Sequence, residues 1–155
     1  MNNITTIGFD KLCNTILETN NNIQSVSIIN KHGRAIERMV QDKTSLQAVN
    51  QKSEEMFFMQ CALTISMGRD FDDEFGEIGY IHVDRKNLSM LSFPLFDNIV
   101  LVTSKAAMSP IALARKITAI IKKYCIQDTT TRTLENNTWH KEMPKSMIQI
   151  SMHNS

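Results

Sequence analysis

Cysteine is scarce: three occur in 155 residues, at positions 13, 61 and 125, and no two form a Cys-x-x-Cys pair. An odd, widely spaced set excludes a disulfide framework or a zinc knuckle. Each lies in a helical apolar pattern and reads as a reduced core thiol. Glycine is nearly as sparse, with five residues and neither Gly-x-Gly-x-x-Gly nor Gly-x-x-x-x-Gly-Lys among them. That removes the loops that cradle phosphates through backbone N–H groups. Neither sign of charge dominates, with 17 basic residues against 16 acidic and a net charge of +1. No global field therefore favours nucleic acid or an anionic membrane. No apolar run approaches the roughly 20 residues of a membrane span. The opening Met1-Asn2-Asn3-Ile4-Thr5-Thr6 has neither the basic region nor the apolar core of a secretion signal, so the expectation is cytoplasmic.

What is present is an ordinary soluble composition, 42% hydrophobic and 21% charged, with ten methionines. One domain with a real core is expected at this length. The stretch Glu55 to Met67 is the densest apolar segment and predicts a helix, with Gly68 as its stop. At 3.6 residues per turn Met56, Met59, Leu63 and Met67 share one side. Phe57, Phe58, Cys61 and Ile65 share the other. A helix apolar on both sides must be covered on both sides. The aromatic side is assigned to the sheet and the methionine side to a second subunit, where thioethers adapt to a self-complementary surface.

Before this helix, Phe9, Leu12, Cys13, Ile16 and Leu17 recur at helical spacing behind Thr5 or Thr6 as cap. Asn20-Asn21-Asn22 ends that helix. Ile23 to Asn30 reads as a strand, Lys31-His32-Gly33 as a hairpin turn, and Arg34 to Val40 as a charged edge strand. The central helix starts either near Thr44 or at Ser53. After it come an acidic loop from Arg69 to Glu77 and a strand from Ile78 to Asp84. A turn at Arg85-Lys86-Asn87 leads to a strand from Leu88 to Phe93, and Pro94 to Asn98 turns the chain again. Ile99 to Thr103, apolar on both faces, belongs mid-sheet. Ser109-Pro110 is a cap followed by proline at the first helical position. Ile111, Leu113, Ala114, Ile117, Ile120, Ile121 and Tyr124 form the buried side of that last helix.

In this order of elements, and through Glu55 to Met67 and Gly76 to Thr103, the chain resembles the roadblock/dynein-light-chain type of domain, within the longin- and profilin-like group. It is similar to small archaeal proteins of that layout. The resemblance covers about residues 5–125. It implies an α+β fold: a five-stranded antiparallel sheet with the central helix on one face and the N- and C-terminal helices on the other. Such domains commonly dimerise through the central helix and the adjacent edge strand. Carried over, that gives an interface of Met56, Met59, Leu63, Met67, Ile81 and Val83. It further implies a non-enzymatic scaffold or regulator for a signalling partner such as a small GTPase. The basic residues Arg115, Lys116, Lys122 and Lys123, and Trp139 in the polar tail, are candidate partner contacts. The competing reading is a PAS- or GAF-type small-molecule sensor, built on a similar sheet.

No constellation calls for catalysis, a cofactor or a metal. Asp70, Asp72 and Glu74 alternate like the opening of a calcium loop, but Phe75 stands where that loop needs glycine and Ile81 where it needs glutamate. His82, Asp84 and Arg85 cluster without a neighbouring nucleophile and read as edge-strand protection. His32, His140 and His153 are too dispersed to form a ligand set. From Ile126 onward apolar periodicity fades, which predicts a flexible tail, 126–155, behind a domain spanning 1–125. Limited proteolysis of the isolated protein should remove the tail and leave a folded fragment, because its sparse apolar surface cannot offset the entropy of ordering. A protected C-terminus in that digest would contradict the boundary.

Overall fold

The computed structural model describes the backbone of residues 7–41, 51–106 and 109–142, with side chains in these segments from 8 to 127. The candidate caps Thr5, Thr6 and Thr44 lie outside the described residues. The chain divides into two compact units, Met1–Ile121 and Lys122–Ser155. The first carries helix α1 (Ile7–Glu18), strands β1 (Ile23–Ile29) and β2 (Ala35–Val40), helix α2 (Gln51–Gly68), a 3-10 turn (Arg69–Phe71) and the short helix α3 (Asp72–Phe75). Strands β3 (Ile81–Asp84), β4 (Ser89–Leu95) and β5 (Asn98–Ser104) follow, then helix α4 (Pro110–Glu142). All neighbouring strands run antiparallel, in the order β2-β1-β5-β4-β3. The continuously apolar β5 is the middle strand, as its pattern requires, and the charged β2 and the short β3 are the edges.

The turns follow from local chemistry. Asn20 Oδ1 accepts from the N–H of Asn22, closing the turn after α1. Asn30 Oδ1 accepts from the N–H groups of His32 and Arg34 at 2.9 and 3.0 Å, organising the β1–β2 hairpin. Gly33 supplies the positive φ there, +77°. Pro94 lies inside β4 and not in the turn after it. Because β3 pairs with β4 only as far as Ser92, Pro94 sits where β4 has a neighbour on one side, which tolerates a missing N–H.

Helices lie on either side of the sheet. On the α2 face, Phe58, Cys61, Ala62 and Ile65 pack with Ile29, Met90, Ile99 and Leu101. Ser27 and Ser92 flank Leu101 in one cross-strand row, leaving room for the helix to sit low. Arg38 of β2 forms an ion pair with Glu54 of α2. One residue earlier, Glu37 faces the opposite way and acts electrostatically on Cys13 of α1, which lies against β1 and β2. Among the described residues, no helix is long and apolar enough to cross a membrane.

Three sequence expectations need correction. α2 does end at Gly68, but that glycine is right-handed helical (φ −63°) and not a positive-φ cap, and a 3-10 turn and the short α3 follow it as far as Phe75. The positive φ comes at Gly76, +83°, which ends α3 and whose N–H bonds back to the carbonyl of Asp72. The acidic segment is thus mostly helix, not loop. The strand expected from Ile78 begins only at Ile81. In the second unit the helical backbone of α4 continues to Glu142. Neither glycine nor a further proline interrupts the chain between Pro110 and Pro144, so nothing breaks the helix when its apolar periodicity fades. Residues 143–155 lie outside the described residues.

Two glycines separate backbone from side-chain crowding. A Cβ on Gly33 would stand 2.6 Å from Cα of Met59, so the hairpin is seated directly on the α2 backbone. A Cβ on Gly68 would meet only the Cδ1 tip of Ile78, at 2.4 Å. Gly33→Ala should therefore lower stability by about 2–4 kcal/mol, strain and overlap together, as read from urea unfolding. Gly68→Ala should cost less than about 1 kcal/mol, since a side-chain tip can turn away. Comparable losses for both variants would overturn this assignment.

The core thiols make a second prediction. Burial, with a smaller push from Glu37 and Asp10, raises the Cys13 pKa to about 12. Burial raises that of Cys61 to about 11, against a small opposing effect of Arg85. At pH 8 roughly one Cys61 in a thousand is thiolate, and fewer of Cys13. Both should resist iodoacetamide until the protein unfolds, as read by mass spectrometry of native and denatured samples. Because the folded state favours the protonated thiol, its contribution is complete below the ordinary thiol pKa of 9.0 and is lost as pH rises through 11.

Candidate interaction surface

Seating α2 on the sheet leaves its other side without a cover in the described residues. Met56, Met59, Leu63 and Met67 are 53–67% exposed. Met56, Leu63 and Met67 follow one another at helical spacing along the crest, and Met59 lies on the shoulder toward the β1–β2 hairpin. There Met59 and Leu63 form the wall of an open groove of about 690 Å³, whose other side is Asn30, Lys31, His32 and Arg34. The groove is apolar on the helix side and basic on the hairpin side.

The opposite shoulder of α2 faces β3. Phe57, Gln60 and Thr64 meet Ile81, Val83 and Met90 around a smaller cavity of about 160 Å³. Ile81 and Val83 are half-buried and pack against the core cluster beneath α2. The six sequence-derived interface residues thus occupy two adjoining surfaces: a methionine crest, and a groove beside an edge strand. Among the described residues, no strand pairs with the outer edge of β3.

The remaining candidates are dispersed. Arg115 and Lys116 are exposed on α4 in the first unit. Lys122 and Lys123 are exposed in the second unit. Trp139 lies in the part of α4 whose side chains are outside the described residues. The acidic positions Asp70, Asp72 and Glu74 stand on helical backbone, not on a calcium loop. Among the described residues, no three His, Cys, Asp or Glu side chains converge as a metal site.

One polar pair was not legible as a sequence motif. His82 Nε2 and Ser89 Oγ lie 2.9 Å apart across β3 and β4. They are neighbours only through strand register, which places His82 beside Leu91 and Asp84 beside Ser89. A base within reach of a hydroxyl invites a nucleophilic reading. Ser89 is buried, however, and a nucleophile that meets no solvent meets no substrate. The pair serves as a cross-strand hydrogen bond.

No protein-family model matches the chain, and no curated protein matches it in sequence. Solved structures do match in three dimensions. MglB of Myxococcus xanthus superposes with a TM-score of 0.62 at 14% identity, covering 84% of this chain and 94% of that one. A Roadblock/LC7 domain from Streptomyces avermitilis gives 0.59 at 11% identity, covering 77% and 97%. MglC of Myxococcus xanthus gives 0.51 at 8% identity, covering 77% and 98%. With the element order, the five-stranded antiparallel sheet and the placement of α2, these likenesses establish the fold as that of a roadblock/longin-type domain.

Proposed function

We propose that this protein is a non-enzymatic homodimeric scaffold or regulatory module that binds a signalling partner in the cytoplasm. One observation carries the reading. The central helix is apolar on two sides, the sheet occupies one, and four large side chains of the other stay more than half exposed. Isolated surface methionines need no explanation, but a contiguous stripe on one helix marks an interface. A second copy of α2 covers the Met56–Met67 crest, and the open edge of β3 with Ile81 and Val83 extends the contact. Self-association on this fold has support in a solved structure of MglB with tetrameric arrangement, which matches this chain with a TM-score of 0.50.

The partner class comes from the family resemblance, which points to a small GTPase. Arg115 and Lys116 are its candidate contacts in the first unit, and Lys122, Lys123 and Trp139 in the second. The tail beyond 126 is an appendage to the domain. A small-molecule sensor is the weaker reading: the cavity of about 160 Å³ beside β3 falls below the roughly 300–1,000 Å³ usual for ligand pockets, and the groove of about 690 Å³ beside Met59 is open to solvent and does not enclose a ligand.

Light scattering should find a dimer at roughly tens of micromolar protein, a level a specific homodimer survives. Met59→Glu should give a folded monomer, because a charge stranded in a dry interface costs several kcal/mol, on the order of 3–5. Phe58→Glu should fail to fold, since that side chain is in the core beneath α2. A monomeric wild type, or a Met59→Glu dimer as tight as wild type, would sink the proposal.

A further inference from the structure

The chain that leaves α2 carries a concentration of one charge. Five of the protein's 16 acidic residues, Asp70, Asp72, Asp73, Glu74 and Glu77, fall within 70–77. They follow directly on the C-terminal end of an 18-residue helix with no basic residue in its last turn. Among the described residues none of the five forms an ion pair, and Asp72 Oδ1 is buried without a hydrogen-bond partner. The nearby cation Arg69 is turned elsewhere: its Nη2 donates to the carbonyl of Phe96, at 2.6 Å, in the β4–β5 turn.

The same region displays aromatic surface. Phe71 and Phe75 are 54% and 81% exposed, with ring centroids 6.1 Å apart. Phe96, to which Arg69 ties the segment, is 61% exposed and holds φ +53°, uncommon for a bulky residue. Three of the seven phenylalanines therefore face outward where the unpaired carboxylates collect.

We propose that Phe71, Phe75 and Phe96, together with the carboxylates of 70–77, form a docking surface for a basic segment of a partner protein. That segment carries apolar side chains among its lysines and arginines. Charge complementarity identifies the occupant. The acidic groups do not converge on one point, so a single metal ion does not satisfy them. Cations spaced along a polypeptide do, and its apolar residues cover the rings. This surface lies beyond the α2 crest and does not depend on the dimer.

The test uses the full chain and two synthetic amphipathic peptides of 18 residues, one of lysine and leucine, one with every lysine replaced by glutamate. Calorimetry should show the lysine peptide binding with a Kd below about 100 µM, weakening steeply with salt, and the glutamate peptide not binding. Phe75→Ser, at a site too exposed to affect folding, and the charge reversal Asp73→Lys/Glu74→Lys should each weaken binding about tenfold or more. NMR shifts on titration should centre on 69–77 and Phe96. The proposal is overturned if the lysine peptide does not bind, if both variants bind it as wild type does, or if the shifts centre on Met56–Met67.

Discussion

The depth at which α2 sits on the sheet controls most of what this molecule displays. Phe58, Cys61, Ala62 and Ile65 meet Ile29, Met90, Ile99 and Leu101, and the small residues Ser27 and Ser92 let the helix approach. From above, the β1–β2 hairpin closes on the helix so tightly that Gly33 has no space for a Cβ against Met59. The ion pair between Arg38 and Glu54 adds a polar tie at the start of the helix. With α2 held in this way its roll about its own axis is set. The roll decides which side chains are core and which are surface.

Everything proposed about function follows from that roll. The crest residues Met56, Leu63 and Met67 point away from the sheet because Phe58, Ala62 and Ile65 point toward it. Met59 is on a shoulder, so it contributes both to the crest and to the groove walled by Lys31, His32 and Arg34. Ile81 and Val83 are committed in part to the core of their own sheet. What β3 adds at its outer side is backbone donors and acceptors at an open edge. Beyond the helix end, the acidic and aromatic segment follows directly on α2 as a 3-10 turn and the short α3, so its position is inherited from that helix.

Much of the architecture was legible in the residues. Lys31-His32-Gly33 announced the first hairpin, and the apolar run from Ile99 to Thr103 announced the central strand. The pairing of Ser109 with Pro110 announced the last helix, whose first hydrogen bond runs from Leu113 to Ser109. These are local signals, carried by turn chemistry and side-chain period, and they hold wherever the chain sits. The division of the central helix into an aromatic and a methionine side was equally legible. Phe57 is the partial exception, half-buried on the shoulder next to β3.

Other features had no local signature. A glycine after an apolar helical run is an ordinary stop, yet Gly68 is held right-handed while Gly76 takes the positive φ. β3 is shorter than its residues suggest: it begins at Ile81 opposite Ser92, although β4 runs on to Leu95. The hydrogen bond between His82 and Ser89, and the groove between Met59 and the basic hairpin, join positions that only register and docking bring together. Sequence alone determined the period and therefore the faces of each element, because side-chain spacing on a helix or strand is a property of the backbone. Tertiary structure alone decided which faces were covered, because burial depends on the contacts among elements far apart in the chain.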